Sequence, residues 1–222
     1  MARLTRAESK VRTRERLIWA GRRIFSRTGF HAASVEEIAE AAGFSRGAFY
    51  ANFADKADLL LCIVEQRDDA VWAEVETVLE QTSPEDMLPA MQAWFDRVAL
   101  DPGLALAWAE MWPQAMRDRA LRRRLVQRQE RTRGVVSDML RRYCETAGLE
   151  LPLPPEHFAA MALALGDGLA AQRHLEPSAL PGDIFVQGLA YLWLGSAAGA
   201  EAGVTTTAMP ERETVSRETR RG

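Results

Sequence analysis

The chain is poor in the residues that most catalytic and metal sites require. Its two cysteines, Cys62 and Cys144, lie far apart and form no CxxC pair. That excludes a disulfide framework and a thiolate zinc site, and it suits a protein of the reducing cytoplasm. The three histidines, at 31, 157 and 174, have no partner at metal-ligand spacing. There is no nucleophile motif, no Gly-rich phosphate loop and no carboxylate pair in a recognisable setting, so neither an enzyme nor a bound cofactor is expected. Asp167, between Gly166 and Gly168, is an isolated acid, and a loosened helix at a subunit seam explains it better than catalysis. Long apolar runs are missing too. The longest uncharged stretch, 184–200, has 17 residues and is interrupted by Gln187 and three glycines. It is too short for a membrane span and reads as a buried packing helix. The basic start, MARLTRAESKVRTRER, leads into no apolar signal core.

What is present is an ordinary globular composition, 47% hydrophobic and 27% charged, with an uneven distribution of charge. Residues 1–53 carry 10 Lys+Arg against 5 Asp+Glu, a net +5, whereas the remainder carries 18 against 26, a net −8. A basic N-terminal piece on an acidic body points to a polyanionic partner at one end.

That basic piece reads as three short helices. Leu17, Ala20, Gly21, Ile24 and Phe25 follow i, i+3, i+4, i+7, i+8, one apolar face, and Gly29 stops the helix as a left-handed cap. Ser34 opens a second helix with Glu37 three residues on, a capping box, and Val35, Ile38, Ala39 and Ala42 form its buried side. Gly43 ends it. Ser45 caps a third, GFSRGAFYANF, and Asp55 caps a fourth. Two short helices joined at a tight Gly turn make a helix-turn-helix. Phe49 and Phe53 anchor the third helix, which leaves Ser45, Arg46, Gly47, Ala48, Tyr50 and Asn52 facing outward. Such a helix fits the major groove of DNA, where Arg46 can fork onto a guanine and the small Gly47 and Ala48 allow close approach.

The stretch TRERLIWAGRRIFSRTGFHAASVEEIAEAAGFSRGAFYANFADKADLL resembles the DNA-binding domain of the TetR family of bacterial transcriptional regulators. The framework residues Phe25, Gly29-Phe30, Ser34-Val35, Ile38-Ala39, Ala42-Gly43, Phe49-Tyr50, Phe53 and Lys56 fall in family order over about residues 13–60. The resemblance implies that Ser34 touches phosphate at the start of the second helix, that Arg46, Gly47, Ala48, Tyr50 and Asn52 lie along the recognition helix, and that Lys56 touches phosphate from the fourth. With Gly and Ala at 47 and 48, base readout falls mainly to Arg46, and DNA shape supplies the rest.

The remainder reads as helices, making the chain all-α, with a three-helix N-terminal helix-turn-helix domain, a C-terminal helical domain and about nine helices in total. Residues 1–11 are expected as a flexible arm, 12–55 as the DNA-binding domain, 56–199 as a ligand-binding and dimerisation domain, and 200–222 as a disordered tail. The sequence Ser83-Pro84-Glu85-Asp86 starts a fifth helix, Asp101-Pro102-Gly103 breaks it, and Trp112-Pro113 ends a short sixth. A long seventh helix over 118–146 carries the basic run RDRALRRRLVQRQERTR, which reads as a solvated face. The resemblance places a ligand pocket within helices five to eight, where Met87, Met91, Trp94, Phe95, Trp108, Met111, Trp112, Met116 and Phe158 suit an apolar or aromatic effector. It also implies a homodimer through helices eight and nine, for which Met161, Leu165, Gly168, Leu169, Phe185, Leu189, Leu192 and Trp193 are the candidates. The expected protein is a cytoplasmic regulator, a repressor that binds a palindromic double-stranded DNA operator as a dimer and is released by a small effector, with no membrane partner. An effector-free architectural DNA protein and a helical ligand-binding protein or enzyme carrying a helix-turn-helix are the alternatives.

Overall fold

The computed structural model describes residues 5–97, 102–151, 153–176, 178 and 180–201. Within these the chain forms nine helices and no strand: α1 Arg6–Ala32, α2 Val35–Ala42, α3 Arg46–Tyr50, α4 Lys56–Gln81, α5 Met87–Arg97, α6 Pro102–Arg117, α7 Arg119–Ala147, α8 Pro155–Leu175 and α9 Ile184–Glu201. Of the segment 200–222 expected as a disordered tail, residues 200 and 201 continue α9, and 202–222 lies outside the described residues. No helix among them is long and apolar enough to cross a membrane.

Two cores divide the work. In the first, α1 to α4 and the inner faces of α6 and α7 bury Leu17, Phe25, Phe30, Ile38, Phe49, Phe53, Leu59 and Met111. In the second, α4, α5, α7, α8 and α9 bury Val75, Trp94, Met139, Leu169 and Phe185. Helix α4, about 39 Å long for its 26 residues, runs through both. Its first half supplies Leu59, Leu60 and Ile63 to the first core and its second half supplies Val75 to the other.

Helix α1 differs from expectation at both ends. It begins at Arg6, inside the stretch expected as an arm, because Thr5 and Glu8 close a capping box. Gly29 breaks the regular helix at φ 75°, yet the chain resumes one more turn to Ala32. The extra turn is held from outside. Glu110 of α6 accepts the Phe30 and His31 N–H groups at 2.7 and 3.0 Å. The Lys56 ammonium of α4 donates to the Phe30, His31 and Ala33 carbonyls at 2.7, 3.1 and 2.9 Å. At Ser34 the serine oxygen accepts the Glu37 N–H, as expected, but no capping box closes there, since the Glu37 carboxylate turns to Arg27.

Helix α6 runs through Trp112-Pro113, where a break was expected. A proline forfeits one intrahelical hydrogen bond, and burial of Leu104, Ala107, Met111 and Ala115 along one face of α6 outweighs that loss. The close approach of α6 to α1 depends on Gly103, where a Cβ would stand 1.8 Å from the Ser26 carbonyl oxygen.

The basic run of α7 is not simply a solvated face. Arg124 pairs with Asp55 and Asp58, Arg128 with Asp68, Arg131 with Asp69 and Arg142 with Glu76, all on α4 or its N-cap. Four arginines thus lace the long helix α7 along α4. Arg128 and Asp68 are largely buried, and loss of water pushes the Asp68 carboxyl up against the pull of Arg128 and Arg67.

Two substitutions test this scaffold. Gly103→Ala forces α6 off α1 and should cost about 1–3 kcal/mol of stability, as overpacking does. Glu110→Ala leaves two N–H groups without their acceptor and should cost a similar amount, about 1–3 kcal/mol. Denaturant unfolding of each variant reads both, and wild-type midpoints would contradict the account of the α1–α6 junction.

Candidate nucleic-acid interface

The outward face of α3 is set by what the helix buries. Phe49 is fully buried and Phe53 nearly so, and their rings lie 5.7 Å apart beneath the helix. Arg14 of α1 braces the exit, with its guanidinium 4.2 Å from the Phe53 ring centroid and its Nη1 donating to the Asn52 carbonyl at 2.8 Å. The α2–α3 turn is closed by Gly43 in the left-handed conformation, with the Phe44 N–H donating to the Ala39 carbonyl at 2.9 Å. Ser45 caps α3 by accepting the Ala48 N–H at 3.3 Å.

With the helix so held, Ser45, Arg46, Gly47 and Tyr50 are exposed and Ala48 is half-buried. A Cβ at Gly47 would meet no atom nearer than 3.7 Å, so its smallness serves an outside surface rather than internal packing. Arg46 is occupied in the free protein. It pairs with Glu36 of α2 at 2.7 Å and reaches the Tyr50 hydroxyl at 3.5 Å, and these two partners, Tyr50 first, hold the guanidinium above its ordinary value. Ser34 is half-buried as the α2 cap.

Two expected contacts fall away. Asn52 does not face outward, because its Nδ2 donates back to the Ala48 carbonyl at 2.8 Å and its Oδ1 is buried. Lys56 is not a free phosphate ligand, because its three N–H donors are used on three carbonyls at the end of α1. Burial pulls its ammonium below the ordinary lysine range, with Glu110 opposing. Its spacing after the recognition helix gives no hint of this, since the carbonyls it caps come from 23 to 26 residues earlier in the chain. Glu36 is the residue that sequence reasoning missed, and its position on the same outer surface as Arg46 appears only once α2 and α3 cross.

The residues proposed for a ligand pocket are divided between the two cores and the surface. Trp94, Met91 and Phe95 belong to the second core, and Met87 is buried on α5. Met111 lies inside the first core with Trp108 packed on it. Trp112 and Met116 face solvent at 42% and 70% exposure, and Phe158 packs edge-on against Trp193. The candidates for a subunit seam also divide. Leu169 and Phe185 turn inward, Phe185 stacking on Phe95 at 4.0 Å, because their own chain already covers them. Leu189 packs on the same core, Trp193 is half-buried against Phe158, and Gly168 is exposed. Met161, Leu165 and Leu192 do line an apolar groove of about 450 Å³ with Ala164, Gly188 and Tyr191, and Tyr191 and Leu194 beside it are 74% and 65% exposed.

Comparison with known proteins agrees with this geometry. Residues 17–63 match the family described as bacterial regulatory proteins, tetR family, and residues 84–191 match the C-terminal part of BetI-type transcriptional repressors. The chain is 37% identical over 92 residues to the HTH-type transcriptional regulator AcrR of Shigella flexneri, a match covering 41% of this chain and 42% of that one. It is 30% identical over 154 residues to the HTH-type transcriptional repressor AcnR of Corynebacterium efficiens, covering 63% and 79%. In fold it is similar to the transcriptional regulator FadR of Bacillus subtilis, solved in complex with stearoyl-CoA, with a TM-score of 0.62, 18% identity and coverage of 82% and 98%.

The division of labour between Arg46 and Lys56 can be measured on DNA. Arg46→Ala should weaken binding to the best site by about 1–3 kcal/mol and relax preference at one base pair per half-site. Lys56→Met should lower stability and weaken all sequences alike, but leave the slope of log affinity against log salt unchanged, because no phosphate contact is lost. A slope that falls by about one unit per subunit would restore Lys56 as a phosphate ligand. Glu36→Gln should tighten binding a few-fold by releasing Arg46, since an exposed pair of this kind is worth roughly 0–1 kcal/mol.

Proposed function

The chain belongs to the TetR family of bacterial regulatory proteins, and on that premise we propose that it is a cytoplasmic repressor that binds a palindromic operator as a homodimer and is released by a small effector. The observation that carries the proposal is the recognition surface of α3. Ser45, Arg46, Gly47 and Tyr50 are presented to solvent on a helix whose other side is pinned by Phe49 and Phe53. A cation, small residues for close approach and an aromatic hydroxyl on one short helix are the parts that major-groove reading needs.

Dimerisation is supported by the apolar groove on α8 and α9. Tyr191 there and Leu194 beside it are exposed apolar side chains, set next to the half-buried Met161 and Leu165. A two-fold pair would set two copies of α3 about 34–36 Å apart, one turn of DNA. Release is supported by the way α4 and α6 grip α1. Displacement of either helix moves Lys56 or Glu110 and with it the last turn of α1, which carries the chain into α2. An effector acts only through a difference in affinity between the two arrangements, and about 2.7 kcal/mol of coupling gives a hundredfold loss of operator affinity.

The test is selection from fragmented genomic DNA with the full chain. The expected result is a short palindrome bound by a dimer, with affinity falling at a log–log salt slope of roughly −5 to −9, as for about 6–10 phosphate contacts. Enrichment without any sequence motif would support an architectural protein, and no enrichment at all would overturn the DNA-binding function.

A further inference from the structure

The basic run of α7 holds seven arginines and one acid, Glu130, over residues 119–133. Arg124, Arg128 and Arg131 find acids on α4 or its N-cap. Arg119, Arg122 and Arg123 do not. They are exposed, and among the described residues no ion pair involves them. Spaced i, i+3, i+4, they share one face of the first turns of α7. That arrangement works against the helix. Like charges at this spacing repel, cations near a helix N-terminus oppose its dipole, and beyond the Asp118 cap no acid stands in the first turn. The acids nearby are committed, Asp118 to the Ala120 and Leu121 N–H groups, Asp55 and Asp58 to Arg124.

This corner lies at the end of the molecule that carries α3. Leu121 and Leu125 are buried in the first core, the one that holds Phe49 and Phe53. Arg124 donates to Asp58 at 2.9 Å and to Asp55, the cap of α4, at 3.2 Å. Farther up both helices Arg128 meets Asp68 and Arg142 meets Glu76, so α7 runs parallel to α4. The residues before Arg124 therefore extend past the start of α4, on the side from which the chain arrives out of α3. At 1.5 Å per residue, Arg119 stands about 7.5 Å beyond Arg124. Helical side chains lean toward the N-terminus, so the three guanidinium groups reach toward the same end.

We propose that Arg119, Arg122 and Arg123 form a second contact with the operator, a clamp on the phosphate backbone beside the groove that α3 enters. The proposal rests on the reading of the chain as a DNA-binding regulator. Lys56 is spent on carbonyls of α1, so the first turn of α4 offers phosphate no free ammonium, and the start of α7 brings cations to that end instead. Guanidinium groups fork onto phosphate oxygens, and a bound polyanion relieves the repulsion among the three. Such contacts position the protein and carry no base information. The clamp also ties DNA to α7 itself, the helix that Arg124, Arg128 and Arg142 lace to α4, so a shift of α7 alters DNA affinity without passing through α1.

The test uses the full chain and the duplex that it selects. Arg119→Gln, Arg122→Gln and Arg123→Gln are combined in one variant, since glutamine keeps helix propensity and removes the charge. Arg133→Gln is the control, an exposed arginine of the same run about 21 Å beyond Arg119 along α7. Affinity is measured across a salt titration. The slope of log affinity against log salt should become shallower by at least about two units in the triple variant, because each phosphate contact is worth about 0.9 and each subunit loses one or more. Arg133→Gln should keep the wild-type slope. The selected motif should stay the same in both. The melting temperature of the triple variant should equal or exceed that of the wild type, since repulsion is removed, whereas a structural role would lower it. Ethylation interference should mark phosphates in the wild-type complex that are silent in the triple variant. Each single substitution, read in the same way, keeps the test open if the triple variant fails to fold. A wild-type slope in the triple variant, or a change per charge as large in Arg133→Gln, would overturn the clamp. A wild-type chain that selects no DNA overturns both readings, while one that selects a palindrome with an unchanged slope in the triple variant loses only the contact from α7.

Discussion

The geometry of the molecule depends on one arrangement of charges around the last turn of α1. Gly29 interrupts the helix, and the N–H groups and carbonyls of the turn that follows are engaged by side chains from other helices. Glu110 accepts the first and Lys56 donates to the second, so an acid from α6 and a base from α4 clamp the same turn from opposite sides. The two side chains also attract each other, which offsets part of what burial costs the Lys56 ammonium. The turn leads within three residues into α2 and then α3. The pose of the recognition helix relative to the C-terminal helices is therefore set here by directional hydrogen bonds, together with the apolar packing of α6 on α1.

The α4–α7 arginine pairs have a different character. Those of Arg131 and Arg142 are exposed, and exposed pairs are individually worth little. Arg128 and Asp68 are largely removed from water, so breaking that pair by removing one partner is costly, even though the pair itself adds little net stability. Such a row fixes register between two long helices. It also makes α4 a lever, its first half set in the core that holds α3 and its second half in the core that holds Trp72 and Trp94.

Much of the fold was legible because local chemistry and global structure agree. Ser34, Ser45 and Asp55 cap the helices they were expected to cap. The i, i+3, i+4 faces of α1 and α2 are buried as their periodicity required. The break expected at Trp112-Pro113 failed because a cost local to the backbone was outweighed by burial against α1, a partner some ninety residues away in sequence. The basic run on α7 was read as solvated for a similar reason, since its acidic partners lie about 60 to 70 residues upstream.

The sequence by itself determined the caps at Ser34, Ser45 and Asp55, the turn at Gly43 and the outward cluster of Ser45, Arg46, Gly47 and Tyr50, because each follows from propensity, capping or spacing within a few residues. Only the tertiary structure decided which polar groups are already occupied. It assigned Lys56 and Asn52 to backbone carbonyls, gave Arg46 a partner in Glu36, turned Leu169 and Phe185 inward and left the indole N–H groups of Trp72 and Trp94 unmet. Hydrogen-bond satisfaction is a property of pairs brought together from distant segments. A linear pattern specifies which faces are buried, but not which donors find acceptors once those faces meet.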